Sequence, residues 1–175
     1  MKKSARGIYL ATLTALLLTN TPGSTGASST PPLKTNLDSL GSAYGNWPRS
    51  NGLNAHVHQA NRNESENLLS VVWSIENPAS QSVSITWIAD RSYTYTGPYF
   101  SGVTVVTTDE SSRFHPVMDG AGSCVCSGDT AHDFKRQIPP NEQVAYWSLF
   151  SVPSDVESVT VEIPGFDPIE DVPIS

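Results

Sequence analysis

Beyond residue 52 the chain alternates apolar and polar positions with a period of two. Leu53, Ala55 and Val57 alternate with Asn54, His56 and His58, and Leu69, Val71, Trp73 and Ile75 with Ser70, Val72 and Ser74. The same pattern sets Val83, Ile85 and Trp87 against Ser84 and Thr86, and Val159, Val161 and Ile163 against Ser158, Thr160 and Glu162. Successive side chains of a strand point to opposite faces, so each run predicts a strand with one buried face. Val144 to Phe150 is apolar on both faces and predicts a central strand. Val103–Thr107 and Arg113–Val117 bracket Thr108-Asp-Glu-Ser-Ser and predict a hairpin. Turn residues punctuate the runs at Asn77-Pro, Gly97-Pro, Asp119-Gly, Pro139-Pro-Asn, Pro153-Ser-Asp and Pro164-Gly. No stretch has the three-to-four-residue apolar spacing of an amphipathic helix. About seven or eight short strands without intervening helices predict an all-β antiparallel sandwich, with a small closed barrel as the alternative. Trp73, Trp87 and Trp147 are expected in its core.

The N-terminal part is of a different kind. Lys2, Lys3 and Arg6 precede an apolar run from Ile8 to Leu18 and a small-residue exit through Ala27. That order is the pattern of a secretory signal peptide over residues 1–27, with cleavage expected after Ala27. The run is shorter than the roughly 20 residues a membrane-spanning helix needs. No Cys stands at the exit to carry a lipid, so no membrane attachment is expected after cleavage and the product is expected to be secreted and extracellular. Residues 28–51 are rich in Ser, Gly, Pro and Asn and read as a flexible linker. Residues 52–175 then form the predicted β domain, long enough for one core. Cleavage would remove three basic residues and no acidic one, taking the formal charge from −7 to −10. Such a chain repels phosphate backbones, so no nucleic-acid partner is expected.

Several segments carry a family likeness. They are Leu68-Leu-Ser-Val-Val-Trp-Ser-Ile-Glu-Asn77, Phe114-His-Pro-Val-Met-Asp-Gly120 followed by Ser123-Cys-Val-Cys-Ser127, Pro139-Pro-Asn-Glu142, Pro153–Phe166 and Val172-Pro-Ile174. Together they resemble secreted immunoglobulin-like accessory domains of actinobacteria, of the telokin-like type. The resemblance covers roughly residues 53–174. It implies an immunoglobulin-like sandwich and an extracellular address, and it carries no activity with it.

The candidate chemistry concentrates in Gly120-Ala-Gly-Ser-Cys-Val-Cys-Ser-Gly128, which holds both cysteines. Export places them where disulfides form, and the glycines permit the tight turn that a Cys124–Cys126 bridge needs. Free thiols, a metal site and bridges to another chain are the other options. His115, Met118, Cys124, Cys126 and His132 combine imidazole, thioether and thiolate, a set that suits Cu(I) or, without the thioether, zinc. His56 and His58, which project from one face of a strand, form a second metal candidate, with two solvated side chains as the simpler reading.

Catalysis finds no assembled set. No Gly-x-Ser-x-Gly elbow is present, and Asp119, Asp129, Asp133, Glu142, Asp155 and Glu157 sit near turns, where carboxylates commonly cap loops. No cofactor is expected. Tyr93, Tyr95, Tyr99 and Phe100 fall within a single short segment, and Tyr-rich loops give rigid contact area for recognition. A further strand with its rings on a rim is the competing reading. The expectation is a non-enzymatic module that binds an extracellular protein or cell-envelope component, with an extracellular copper- or zinc-binding protein as the alternative.

Overall fold

A computed structural model describes residues 38–65, 67–89, 95, 100–128 and 134–175. The chain separates into two units, Met1–Thr35 and Asn36–Ser175, and every described residue belongs to the second. The expected signal peptide and residues 28–37 of the expected linker lie outside the described residues.

The alternating runs become antiparallel strands. β1 (Gly41–Tyr44), β2 (Asn54–Arg62), β3 (Leu69–Asn77) and β8 (Glu142–Phe150) form one sheet in the order β1-β2-β3-β8. β5 (Thr104–Thr107), β6 (Arg113–Phe114), β9 (Ser158–Glu162) and β10 (Ile169–Pro173) form a second in the order β10-β9-β5-β6. β4 (Val83–Ser84) and β7 (Gln137–Ile138) make a short pair of their own. All the pairings are antiparallel, and the described residues contain no α-helix. Each of the two main sheets has four strands.

The apolar faces of both sheets supply one core. Ala55, Val57, Leu69, Val71, Trp73 and Ile75 from the first meet Val105, Val159, Val161 and Val172 from the second. An aromatic cluster fills one end. Trp73 lies 4.8 Å from Tyr146, centroid to centroid, and Phe100 lies 5.0 Å from Tyr146 and 4.7 Å from Phe134. Burial pushes the Tyr146 phenol far above its ordinary value, and its hydroxyl donates to the Lys135 carbonyl at 2.8 Å.

The sheet edges meet along both seams. On one, the chain leaves β6 and runs beside β8, with Val117 N–H donating to Leu149 O at 2.8 Å and Leu149 N–H to Val125 O at 3.0 Å. On the other, Gly45 bridges Phe166, and Asp167 N–H donates to Tyr44 O at 3.0 Å. These stitches cover backbone that an open edge would expose.

Arg62 ties the end of β2 to the turn before β9. Its guanidinium donates to the carbonyls of Val152, Pro153 and Val156 at 2.9, 2.7 and 2.7 Å. Arg62→Ala strands acceptors that one planar cation satisfies, and is expected to cost about 2–3 kcal/mol in denaturant unfolding.

Four expectations change. The folded part begins before residue 52, because β1 lies inside the range read as linker. Its short run of small residues around Tyr44 carries too little apolar alternation to register as a strand. Val83–Trp87 yields only the two residues of β4 and then a single 3-10 turn, Thr86–Ile88. In that turn residues three apart share a side, so the buried partner of Ile85 is Ile88 and not Trp87. β8 is the last strand of its sheet and not a central one. The Pro116–Ser127 segment pairs along its free edge, so the strand is flanked on both sides, while Trp147 on its outer face remains 40% exposed. Finally, Phe100 is buried at 2% exposure within the aromatic cluster and offers nothing to a binding loop.

Candidate functional site

The cysteine loop is a pinned element. Cys124 and Cys126 form a disulfide with their Cα atoms 5.3 Å apart. Asp119 organises the approach, its carboxylate accepting from Ala121 N–H at 2.9 Å and Ser123 N–H at 2.8 Å. Gly122 takes φ +85°, which a side chain would resist. Tyr95 packs against the buried cysteines and donates to Pro116 O at 2.6 Å. Met118 pairs with Cys124 across the loop, but a bridged sulfur is not a thiolate, so the copper or zinc reading requires the reduced form. His115 sits in a cleft described below, and His132 lies outside the described residues. Among the described residues no three His, Cys, Asp or Glu side chains come together to hold a metal ion. The bridge closes a very short loop, so replacing both cysteines by Ser is expected to lower stability by only about 1–2 kcal/mol. Thermal unfolding of the double variant checks this.

The tyrosine segment separates into parts. Tyr95 is half-buried against the disulfide and Phe100 is in the core, while Tyr93 and Tyr99 lie outside the described residues.

The histidine pair departs from the expected solvated face. β2 pairs Val57 with Trp73 and Gln59 with Val72, leaving His58 as the extra residue of a bulge. His58 is 7% exposed, with Nε2 2.8 Å from Ser74 Oγ and Nδ1 3.3 Å from the Asp38 carbonyl. Gln143 Nε2 donates to the same Ser74 hydroxyl at 2.6 Å. The Ser–His distance is that of a nucleophile and its base, yet Ser74 is 1% exposed and no substrate carbonyl can reach it. His56 stacks on His58 at 6.1 Å and approaches Glu76 at 3.4 Å. The Glu76 carboxyl is held below its ordinary value, chiefly because Asn54 donates to it at 3.0 Å. These groups satisfy one another and brace the outer face of the sheet.

The concave site lies elsewhere, where the β1–β2 connection meets the β9–β10 turn over the outer face of the second sheet. Strand register sets its polar side. Val106 pairs with Arg113 and Thr104 with Glu162, so Thr104, Glu162 and Arg113 project from the same face. Arg113 and Glu162 form a two-pronged ion pair, Nη1 to Oε2 and Nη2 to Oε1 at 3.0 Å. Thr104 joins it, accepting from Arg113 at 2.8 Å and donating to Glu162 at 3.2 Å. The pair raises the Arg113 pKa above its ordinary value, the Glu162 hydrogen bond being the chief cause.

Two tryptophans make the other side. Trp47 and Trp87 both approach Gly165, where an added Cβ would stand 3.3 Å from Trp47 Cε3 and 3.1 Å from Trp87 Nε1. Gly165 also has φ +88°, so the position demands glycine on two counts. Trp87 Nε1–H donates to Pro164 O at 3.0 Å, fixing its ring. The Trp47 turn is strapped down around Ser50, which is fully buried and donates to Gly165 O while accepting from Trp47 N–H at 3.1 Å. Asn46 adds a backbone bond to Gly165 O at 2.8 Å and a side-chain bond to Asp167 at 3.0 Å. Gly45 completes the packing, because a Cβ there would collide with the Ser50 carbonyl. Trp47 nevertheless remains 48% exposed. The cleft, open to solvent, has a volume of about 900 Å³, with His115 and Arg49 also on its walls.

The sequence reading missed this cleft because Trp47 stood in a Ser/Gly/Pro-rich stretch and Arg113 and Glu162 lie 49 residues apart. The usable signal was Asn46-Trp-Pro-Arg-Ser50, an aromatic and a cation in a segment with no other apolar reason to hold them. Searches against protein-family models, curated proteins and solved structures find no match to the chain.

Proposed function

We propose that the chain is a secreted, non-enzymatic immunoglobulin-like β-sandwich module that binds a protein or cell-envelope component, with the Trp47–Trp87 cleft as its binding surface. The observation that carries this reading is Trp47, a large aromatic left half-exposed on a turn that buried hydrogen bonds hold rigid. Tryptophan in water is a cost that folding ordinarily avoids, and rigid exposed aromatics are the anchors around which interfaces form. Among the described residues the cleft gathers no nucleophile, base and oxyanion donors into one place, which favours recognition over reaction. Two features of the chain favour the extracellular address. One is the leader-like N-terminus and the other is the disulfide, a bond that persists in oxidising compartments.

The test is co-sedimentation of the exported chain with the envelope fraction of the producing cells. Wild type is expected in the pellet, and Trp47→Ala in the supernatant with an unchanged unfolding midpoint. Equal sedimentation of the two proteins would move the interface away from the cleft.

A further inference from the structure

We infer that the ligand of the cleft is a saccharide, a pyranose ring stacked on Trp47 with its hydroxyls on the Arg113–Glu162 pair; this rests on the binding reading above. On the polar side of the cleft Arg113 and Glu162 neutralise each other, and Arg49 stands elsewhere on the wall as a further cation. Arg113 and Glu162 are joined two-pronged, yet their side chains stay 48% and 34% exposed. Neither group therefore asks the ligand for a countercharge. Each oxygen of a carboxylate can accept more than one hydrogen bond, and a guanidinium has five N–H donors, so the pair keeps donors and acceptors to offer side by side. A vicinal diol matches this arrangement, because each hydroxyl both donates and accepts. Thr104 is already committed to the pair from beneath and holds both groups in register.

The aromatic side supplies the complementary half. A pyranose presents C–H groups on its ring faces and hydroxyls around its rim. The C–H face suits an indole, whose quadrupole places negative charge on the ring face. Trp87 is tethered through Nε1 to Pro164 O, while the Ser50 strap holds the Trp47 backbone and its ring lies against Gly165, so both aromatics sit at the cleft before any ligand arrives. Prior placement removes an ordering cost from binding. The volume of about 900 Å³ lies at the upper end for small-ligand pockets and accommodates more than one ring. A protein partner would be expected to meet a flatter and more apolar patch, with its few charges at the rim.

The test uses the disulfide-intact exported chain, labelled with nitrogen-15, and soluble hexasaccharides of β-1,4-glucose, β-1,4-N-acetylglucosamine, β-1,4-xylose and α-1,4-galacturonic acid. At least one is expected to shift the indole N–H signals of Trp47 and Trp87 saturably at millimolar concentration, leaving those of Trp73 and Trp147 in place. Trp47→Ala and Glu162→Gln are each expected to weaken that affinity by about tenfold or more. Trp47→Phe, which retains a ring, should weaken it less, and Trp147→Ala should leave it unchanged. If no hexasaccharide moves the Trp47 and Trp87 signals while envelope sedimentation still depends on Trp47, the saccharide assignment falls and the ligand is a protein. If Trp47→Ala sediments like wild type, the binding reading falls as well.

Discussion

Trp73→Ala is expected to lower the unfolding free energy by about 3–5 kcal/mol, the range found for removing a large aromatic from a packed core. Domains of this kind are generally stable by only about 5–15 kcal/mol, so the variant would approach the limit of folding at all. Three observations support the size of the effect. The side chain is fully buried, its ring sits 4.8 Å from Tyr146 and 6.1 Å from Phe100, and Nε1–H donates to Ser148 Oγ at 3.2 Å. Truncation would open a cavity at the centre of the aromatic cluster and leave a fully buried hydroxyl without its donor. Trp73→Phe separates the two contributions, because it keeps most of the packing and loses the N–H. Trp147→Ala is the comparison at an exposed position and should stay within about 1 kcal/mol. Guanidinium unfolding of the three variants measures the order, and a Trp73→Ala loss no larger than that of Trp147→Ala would contradict the core assignment.

How far the sequence could be read follows from which forces are local. Period two located β2, β3 and β9, since burial of one face imposes the pattern residue by residue. The hairpin at Thr108–Ser112 was legible for the same reason, with Asp109 closing the turn by accepting from Ser111 N–H at 3.1 Å. Alternation carries no information on partners, however, so the place of β8 at the end of its sheet and the edge pairing supplied by Pro116–Ser127 could not be foreseen. His58 shows a second limit. It stays on the outer face with His56, where alternation places it, yet Ser74, Gln143 and the Asp38 carbonyl close over it and bury it.

The candidate cleft was less legible than the fold. Its polar triad exists only through the register of β5 with β6 and β9, and its aromatic side only through the meeting of two turns. The residue types that drew attention in the sequence were conspicuous by spacing, as with Cys124-Val-Cys126 and the tyrosine run. Spacing in the chain reports local geometry. Arg113 and Glu162 had no conspicuous neighbours, yet they form the pair on which the proposed chemistry depends.

Asn77→Asp should be as damaging as loss of Trp73, and its damage should grow with pH. Asn77 is fully buried at the end of β3, where one amide serves four backbone groups. Nδ2 donates to the carbonyls of Gln81, Ile138 and Pro139 at 2.7, 3.1 and 3.1 Å, and Oδ1 accepts from Ala79 N–H at 3.1 Å. The substitution changes little in volume but turns the donor into an oxygen facing three carbonyls. A buried charge without a countercharge costs about 3–5 kcal/mol. Burial and the facing carbonyl dipoles both disfavour ionisation, so the introduced carboxyl should have a native-state pKa raised above its unfolded value of about 3.9. Below that unfolded value the group is protonated in both states, and its O–H can still donate to one carbonyl. As pH rises above it the unfolded chain releases the proton first, and stability relative to wild type falls by up to about 1.4 kcal/mol per pH unit until the native group ionises too. Asn77→Ala removes the same donor without adding a titrating group, so its deficit should be the same at every pH. Urea unfolding of wild type and both variants between pH 3 and pH 7 separates the two behaviours. A pH-independent deficit for Asn77→Asp would mean that the carbonyls had turned away and that Asn77 does not hold this junction as described.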